Sequence, residues 1–389
     1  MLTIRGWALL GAGLAIVLLW YLLGDPELLL AGAFLSLVSG IAVLYVRYHR
    51  PRLSIGRRLG STTVHNGDTT AVTLLLQNRG DRPLRNITLA DEVHGLGLAS
   101  FEIAGLGAGQ SASATYRVTC RPRGIYEVGP STAAARDPLG LAELPATPGP
   151  VDRIVVYPTV EELNGFPMTR GQDPALNASR PEHSQRGGED FYTLREYQRG
   201  DDLRRIHWPS SAKTEELMIR QLETPWQSRA LVLLDVRSSA YESSDAFETA
   251  VSGCASVVTH LVGSGFDADL WAGDANIIDA SRYTAAMERM ALVQPDPLID
   301  ITAVASRIRQ TGGGGALVLI TGLADRELLG VQQLLSSDYR TTVLMGVSST
   351  TPQTLIGFHR MGVTTITVDP GEDWNNEWSR AMRAAWDVA

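Results

Sequence analysis

Two long apolar runs open the chain. The first extends over residues 6–23 and the second over 28–46, and neither contains a charged residue. Each is long enough to cross about 30 Å of hydrocarbon as a helix. A cleaved signal peptide is the alternative for the first run, but no small-x-small cleavage site precedes the second run. We therefore predict a tight hairpin of two transmembrane helices within residues 1–50.

Arginine placement predicts the orientation of this hairpin. Arg5 precedes the first run, and five arginines follow the second run: Arg47, Arg50, Arg52, Arg57 and Arg58. The turn between the runs carries only the acidic residues Asp25 and Glu27. Because cytoplasmic flanks of membrane spans carry excess arginine and lysine, both ends of the hairpin should face the cytoplasm. Everything after the second span should face the same side.

A different pattern, with a period of two, begins after the hairpin. Its apolar positions are Val72, Leu74 and Leu76, then Ile87 and Leu89, then Tyr116 and Val118. Turn signals such as Asn66-Gly67 separate these short segments. Alternation of this kind predicts a small Ig-like β-sandwich over residues 52–150, followed by a connector over 151–223.

Residues 224–389 follow a third pattern, in which short apolar runs alternate with helical stripes. The run from Ala230 to Asp235 ends in an acid, as expected of a strand buried on both faces of a parallel sheet. A helix is predicted at 245–262 from apolar residues at helical spacing. Further strands are predicted at 268–271, 316–321, 341–347 and 364–368. The alternation indicates a doubly wound α/β domain, whose ligand-binding loops lie at the carboxyl ends of the strands.

Composition excludes several classes of function. The net charge of −8 and the lack of a long basic run argue against a nucleic-acid-binding protein. Lys213 is the only lysine and follows Ala212, so a phosphate-binding P-loop is excluded. Cys120 and Cys254 are isolated, which predicts ordinary buried thiols instead of a zinc site or a disulfide framework. No cofactor is suggested.

The densest polar and aromatic cluster lies within the connector. Its candidate binding or interdomain residues are Glu189, Asp190, Arg195, Glu196, Tyr197, Gly200, Asp201, Asp202, Arg204, His207, Trp208 and Lys213. The charges nearly balance, so they can form an internal network across the next domain, with Phe191, Tyr197 and Trp208 buried as anchors. Alternatively, part of the network contacts a partner, since arginine recognises carboxylates and phosphates in a fixed geometry. His207 is expected to be a packed side chain, because the sequence identifies no nucleophile as its partner.

Five short motifs in this cluster resemble the bacterial domain of unknown function 58 family. They are Gly-Glu-Asp-Phe, Leu-Arg-Glu-Tyr, Gly-Asp-Asp-Leu-Arg, Ile-His-Trp and Ser-Ala-Lys, although an Asp or Asn often occupies the place of His207 in that family. Residues 123–130 and 137–141 are similar to the family as well, so the resemblance extends over nearly the whole chain. It implies a membrane hairpin, a β-sandwich and a von Willebrand factor A-like domain in the bacterial inner membrane. It also implies operation beside MoxR-type AAA+ ATPases.

A von Willebrand factor A domain holds Mg²⁺ with Asp-x-Ser-x-Ser after its first strand, helped by a threonine and an acid from other loops. The matching segment here runs from Asp235 to Ser239, with Arg237 in place of the first serine. A guanidinium removes an oxygen ligand and adds a repelling charge. Gly322 also stands where the later acid commonly follows its strand. We therefore expect no Mg²⁺ here, with Asp235, Ser239 and Asp325 as the candidates of a degenerate site. Asp235 should instead pair with Arg237 or cap the following loop.

Three classes of function are compatible with these patterns. The favoured one is a non-enzymatic, membrane-anchored scaffold or adaptor that docks proteins, with a MoxR-type AAA+ ATPase as the expected partner in envelope-related assembly or stress response. No catalytic residue is predicted. One alternative is a metal-dependent hydrolase that uses Asp201, Asp202 and Asp235, although no paired-carboxylate or histidine-rich spacing supports it. The other is a structural or adhesive surface protein, which requires the soluble part to lie outside the cell.

Overall fold

The computed structural model describes residues 2–48, 52–145, 148–166, 193–197, 206–214, 216–221, 229–273, 276–311, 314–347 and 352–388. The chain divides into two compact units. The first comprises Met1–Val160 with Met287–Val293, and the second comprises Glu161–Ala286 with Gln294–Ala389.

The two apolar runs form the helices α1 (Ile4–Leu23) and α2 (Pro26–Tyr48), each a little longer than predicted. Both helices are long and apolar enough to cross a membrane. Gly24 ends α1 at a φ of +75°, which a glycine adopts without steric cost, and Pro26 opens α2 at the position where proline fits best. The predicted pair of apolar helices is confirmed.

Two glycines let the helices approach closely. A Cβ on Gly13 would lie 3.0 Å from the carbonyl oxygen of Gly32, and a Cβ on Gly32 would lie 2.7 Å from the carbonyl oxygen of Gly13. Small residues at a helix contact permit such close packing of backbones, which is the main source of attraction between helices in lipid.

The β-rich body of the first unit consists of two sheets. Its strands are β1 (Leu53–Leu59), β2 (Thr63–His65), β3 (Thr69–Asn78), β4 (Leu84–Val93), β5 (Gly97–Leu106), β6 (Ser111–Thr119), β7 (Gly124–Val128), β8 (Thr132–Arg136), β9 (Glu143–Pro145) and β10 (Asp152–Tyr157). One sheet has the order β1-β3-β6, and the other has the order β2-β10-β7-β4-β8-β9 with β5 beside β4. The alternating residues Val72, Leu74, Leu76, Ile87 and Leu89 are buried in the core between the sheets.

The sandwich extends beyond its predicted end at residue 150. Strand β10 pairs antiparallel with β7 and parallel with β2, and its residues Ile154 and Val156 are fully buried in the core. The prolines before β10 end one strand, but the alternating pattern resumes after them. The connector therefore begins after Tyr157.

A buried charge cluster ties the two sheets together. Arg57 on β1 donates to the carboxylates of Asp91 on β4 and Asp152 on β10, and Tyr116 on β6 donates to Asp91 over 2.7 Å. Burial lowers the pKa of Arg57, but the hydrogen bonds to both carboxylates outweigh that effect and raise it. The arginine is therefore charged, and its removal would leave the buried carboxylate of Asp91 without its cation.

The loop after β8 is bonded to the beginning of α1. Backbone N–H of Thr3 donates to the carbonyl of Leu141 over 2.9 Å, and Thr3 Oγ1 donates to the carbonyl of Gly140 over 2.8 Å. Leu141 and Ala142 share a small apolar cluster with Ala42 and Val46 of α2. The sandwich is thus joined directly to the open end of the helical hairpin.

The second unit contains a six-stranded sheet. Its strands are β13 (Arg229–Leu234), β14 (Asp267–Ala272), β15 (Ile278–Asp279), β16 (Ala316–Thr321), β17 (Thr341–Val347) and β18 (Thr364–Val368), in the order β15-β14-β13-β16-β17-β18. All neighbours are parallel except β14 and β15. The strands predicted from apolar runs are confirmed. From β13 the chain passes first to β14 on one side and later to β16 on the other, so the strand order reverses at β13.

The helices of this unit are α4 (Ser244–Gly263), α5 (Tyr283–Leu292), α6 (Ile301–Thr311), α7 (Arg326–Leu335), α8 (Pro352–Arg360) and α9 (Trp374–Val388). Every apolar residue of the stripe predicted for α4 is buried: Phe247, Ala250, Val251, Cys254, Val257, Val258 and Leu261. Cys120 and Cys254 are both free and buried, as predicted.

The predicted connector contributes structure to the second unit. It contains β11 (Thr193–Glu196), α3 (Trp208–Thr214) and β12 (Met218–Gln221), with β11 and β12 paired antiparallel. Its first residues pack on α9, because Trp378 Nε1 donates to the carbonyls of Asn164 and Gly165. Phe166 is buried between Trp378 and Phe266.

Candidate functional site

A cluster of charged side chains lies at the carboxyl edge of the parallel sheet, where the strand order reverses. Asp235 directly follows β13, Thr321 ends β16, and Asp325 is the N-cap of α7. Because β13 and β16 are neighbours, these residues meet although they are distant in sequence. In open α/β sheets this is the edge at which ligands bind.

Arg237 occupies the centre of the cluster. Its Nε and Nη2 donate to Asp235 over distances of 2.8–3.3 Å, and its Nη1 and Nη2 donate to Asp325 at 2.9 and 3.2 Å. Nη1 also donates to Glu327 Oε2 at 2.6 Å. All three nitrogens of the guanidinium thus face carboxylate oxygens. The expected pairing of Asp235 with Arg237 is confirmed.

The surrounding backbone and hydroxyl groups hold the buried carboxylate of Asp235. Thr321 Oγ1 donates to Asp235 Oδ2 over 2.9 Å, and the backbone N–H of Arg237 donates to Oδ1 over 3.0 Å. Tyr241 donates its hydroxyl to the carbonyl of Asp235. Asp235 and Thr321 are fully buried and Arg237 is 4% exposed. A buried ion pair with this many hydrogen bonds is fixed in one geometry.

Gly322 is required for the approach of two loops at this edge. A Cβ on Gly322 would lie 2.1 Å from the carbonyl oxygen of Ala240 and 2.6 Å from the ring of Tyr241. The backbone N–H of Leu323 donates to that same carbonyl over 2.7 Å. The acid that a metal site would need after β16 therefore has no room at position 322.

Charge and burial shift the pKa values of Asp325, Arg237 and Tyr241. Burial would raise the pKa of Asp325, but hydrogen bonds from Arg237 and from the N–H of Leu328 outweigh it and lower the value. Burial lowers the pKa of Arg237, and its bonds to Asp235 and Asp325 more than compensate. Burial, followed by the charge of Asp235, raises the pKa of Tyr241 well above its usual value. Asp325 and Arg237 are therefore charged and Tyr241 is neutral near pH 7.

The residues of this edge do not fit Mg²⁺. Asp235 and Asp325 would be the acidic ligands of the ion. Both carboxylate oxygens of each residue already accept hydrogen bonds, from the guanidinium of Arg237 and from the backbone N–H groups of Arg237 and Leu328. Ser239 is exposed in a 3-10 turn over Ser238–Ala240. Among the described residues, no group of His, Cys, Asp and Glu is arranged to hold a metal ion.

The family resemblance stated from the motifs is confirmed by comparison with known proteins. Residues 193–291 match the family model "Protein of unknown function DUF58". This part of the chain is similar to that family. The "Uncharacterized protein YeaD" of Bacillus subtilis (strain 168) is 30% identical over 246 residues, which cover 61% of this chain and 60% of that protein. The chain thus matches less than two thirds of the length of this relative.

Solved structures resemble the chain only in part. The CARDB domain of the PF1109 protein from Pyrococcus furiosus matches 27% of this chain and 93% of that domain, at 16% identity and a TM-score of 0.23. The alkylpurine DNA glycosylase AlkC of Pseudomonas fluorescens matches 33% of this chain and 38% of that protein, at 12% identity and a TM-score of 0.20. Structural similarities with TM-scores this low support no conclusion about function.

Half of the candidate motif residues predicted from the sequence lie outside the described residues: Glu189, Asp190, Gly200, Asp201, Asp202 and Arg204. Arg195 and Glu196 lie in β11, opposite Ile219 and Met218. Tyr197 follows them, is partly buried and donates its backbone N–H to the carbonyl of Leu217. Lys213 is exposed in the last turn of α3, where a cation interacts favourably with the helix dipole.

Trp208 is not the buried anchor that the sequence predicted. Its side chain is 66% exposed, and Ile206, two residues earlier, takes the buried position. Residues two apart lie on the same side of an extended chain, but α3 begins at Trp208. The change to helical backbone therefore turns the tryptophan away from the interior.

His207 contacts a serine that sequence reasoning did not identify. Its Nδ1 lies 2.8 Å from Ser210 Oγ, and the carbonyl of His207 accepts from the N–H groups of Ser210 and Ser211. This pair spans the first turn of α3 and joins the two side chains directly. The spacing of three residues at a helix start is the signal that could have revealed it.

Two residues of the charged edge were also missed. Glu327 lies in the first turn of α7, where the helix dipole stabilises an acidic side chain. This local role explains its position in the sequence, so nothing in the sequence points to a second role at the charged edge. Tyr241 lies six residues after Asp235, and nothing in the spacing indicates their contact. Glu327 joins the site only because β13 and β16 are adjacent, whereas Tyr241 reaches Asp235 through the short turn that follows β13.

Proposed function

We propose that this chain is a membrane-anchored, non-enzymatic docking protein. In this proposal, α1 and α2 span the bacterial inner membrane with both ends in the cytoplasm. The second unit is a von Willebrand factor A-like domain that binds a protein partner at the carboxyl edge of its sheet. The partner class that the family resemblance suggests is a MoxR-type AAA+ ATPase, in envelope-related assembly or stress response.

One observation carries the proposal: the charged groups at the centre of the ligand-binding edge are already paired with one another. Asp235, Arg237, Asp325 and Glu327 form one closed set of ion pairs. Chemistry at this edge would need an acid, a base or a metal available to a substrate. A cluster whose charged groups are already paired with one another instead provides a preformed surface, which favours protein recognition.

The rim of the edge offers contacts for such a partner. Glu327 is 46% exposed at its side chain. Leu298 is 89% exposed and lies two residues after Asp296, whose backbone N–H and carbonyl bond to Val236 and Ser238. An exposed apolar side chain beside polar groups is typical of a contact that becomes buried in an interface.

The proposal is tested by affinity capture of the tagged full-length chain from gently solubilised membranes of its own host. The informative variant is Leu298→Arg, which places a charge at the apolar side chain of the proposed contact. The matched control is Leu98→Arg in the sandwich, where the leucine is 70% exposed.

We expect wild type and Leu98→Arg to retain an AAA+ ATPase and Leu298→Arg to lose it. If no ATPase is retained even after crosslinking, the proposed partner class is wrong. If Leu298→Arg retains it as well as wild type does, the partner does not dock at this edge.

A further inference from the structure

We propose that the carboxyl edge of the sheet is a cation site whose permanent occupant is the guanidinium of Arg237. In this role the side chain takes the place of a divalent metal ion. The site is therefore metal-independent in the wild-type protein, and removal of the guanidinium would open it to a cation from solution. This inference does not depend on the identity of any protein partner.

The arrangement of oxygens around Arg237 supports this inference. Three carboxylates converge on one guanidinium, from Asp235 after β13 and from Asp325 and Glu327 at the start of α7. An additional hydroxyl, that of Thr321, bonds to Asp235 from the end of β16. Carboxylate and hydroxyl oxygens from separate loops are the donor set that hard divalent cations use.

The negative charge of the three carboxylates also favours a cation at the position of the Arg237 guanidinium. Without Arg237, two carboxylates that are partly or fully buried would face each other across the edge, and like charges at short range repel strongly. Arg237 supplies one positive charge to three negative ones, so the cluster stays negative overall. A divalent ion fits the vacated position in charge as well as in ligand type.

The occupant differs from a metal ion in one respect. A bound metal can keep a coordination position open for an acid of the partner, whereas each guanidinium nitrogen is already directed at a carboxylate of this chain. A partner's acid therefore has no cation to bind at the centre of this site. Recognition at this edge would use the rim.

The test uses the full-length chain in lipid nanodiscs, with thermal unfolding followed by tryptophan fluorescence. Arg237→Ser removes the guanidinium and adds one oxygen. In EDTA we expect its Tm to fall by roughly 5–10 °C, because a buried pair has lost one partner. Millimolar Mn²⁺ or Mg²⁺ should restore much of this loss, in a concentration-dependent manner. The Tm of wild type should be the same with EDTA and with either metal.

Two controls separate site binding from general effects of ions. Arg229→Ser makes the same substitution at the other end of β13, where the side chain is 69% exposed, and should neither lower the Tm nor create a metal response. The double variant Arg237→Ser with Asp235→Asn should lose the metal response. Free guanidinium at about 10 mM, far below denaturing concentrations, should also stabilise Arg237→Ala but not wild type.

The inference is overturned if neither metal nor guanidinium raises the Tm of the Arg237 variants. A second measurement uses wild type itself and does not depend on the folding of those variants. Electron paramagnetic resonance should detect no Mn²⁺ bound at this edge. Mn²⁺ that binds to wild type and is lost in Glu327→Gln would show that the guanidinium does not exclude metal.

Discussion

At the residue scale, Asp235 is a charge that is stable in the interior only because several donors surround it. Its side chain is fully buried, and its oxygens accept from Arg237, from a backbone N–H and from Thr321. Loss of one donor leaves a buried acceptor without one of its hydrogen bonds. The free-energy cost of such an unsatisfied buried group exceeds the net contribution of a solvent-exposed hydrogen bond.

Thr321→Val tests the contribution of a single donor with almost no change in shape. We expect the variant to lower the free energy of unfolding by about 1–2 kcal/mol, measured from urea denaturation followed by tryptophan fluorescence. Thr367→Val, on an exposed position of β18, is the matched control and should change it by less than about 0.5 kcal/mol. Equal effects of the two variants would argue against a stabilising bond at Asp235.

His260 on α4 predicts a pH dependence of the second unit. Burial lowers its pKa below the ordinary value, and the hydrogen bond between its Nε2 and the carbonyl of Gly165 only partly offsets this. Below the unfolded-state pKa of about 6.5, the unfolded chain binds a proton that the folded chain still excludes. Stability from neutral His260 is thus complete above that pH and decreases as the pH falls below it.

His260→Gln should reduce this dependence, because glutamine can donate to Gly165 but does not titrate. The Tm difference between pH 7.5 and pH 5.5 should be smaller in His260→Gln than in wild type. The exposed His359, near the other edge of the sheet, provides the control substitution His359→Gln. An unchanged pH dependence in His260→Gln would assign the effect to other groups.

The sequence predicts individual residues well where a local pattern decides their environment. The seven apolar residues of α4 were predicted from helical spacing alone, and pairing with Arg237 was one of the two roles predicted for Asp235. Glu327 could not be assigned to the same site, because its contact depends on which strands are neighbours. The contact of Tyr241 depends on the conformation of the loop after β13. Trp208 was misassigned because the change from extended to helical backbone falls at that residue.

At the element scale, α4 and α9 meet where a glycine faces a tryptophan. A Cβ on Gly253 would lie 2.7 Å from two atoms of the Trp374 ring, and that ring is fully buried. Trp374 Nε1 donates to the carbonyl of Thr249 over 2.9 Å, so the ring is held on α4 by a hydrogen bond as well. A rigid, bonded ring has no room to move away from an added methyl group.

The same substitution in two helices should therefore have opposite effects. Gly253→Ala should destabilise the protein by about 1–3 kcal/mol through overpacking. Gly330→Ala, in α7 where nothing lies within 4 Å of the added Cβ, should stabilise it by about 0.5–1 kcal/mol through helix propensity. Urea denaturation of the two variants measures the difference, and a neutral Gly253→Ala would mean that α9 can shift.

Element boundaries show where pattern reading is limited. The predicted strands and helix of the second unit agree with the structure within a few residues, because buried parallel strands are uninterrupted apolar runs. The last strand of the sandwich was assigned to the connector instead. Prolines at 145, 148 and 150 suggested a linker, although Ile154 and Val156 continue the alternation of the core.

At the scale of the whole molecule, the proposed topology makes a direct prediction for intact cells. Both native cysteines are buried, so added cysteines can be labelled against a low background. Asp25→Cys, in the exposed turn between α1 and α2, should react with a membrane-impermeant maleimide added outside. Ala108→Cys, in an exposed turn of the sandwich, should react only after the membrane is permeabilised.

The reverse labelling would place the soluble units outside the cell and favour the surface-protein alternative. That result would also show that the arginines flanking the two helices do not determine the orientation of the hairpin in the membrane. Labelling of both positions in intact cells would indicate that the two helices do not form a spanning hairpin.

The bond between Thr3 and Leu141 also orders events during biosynthesis. The two residues are 138 positions apart, so at roughly 5–20 residues per second the ribosome makes Leu141 roughly 7–28 s after Thr3. Both apolar helices are therefore synthesised long before the loop that is bonded to the start of α1. In the proposed topology the hairpin enters the bilayer without that bond, and the folding of the sandwich later fixes its first turn in place.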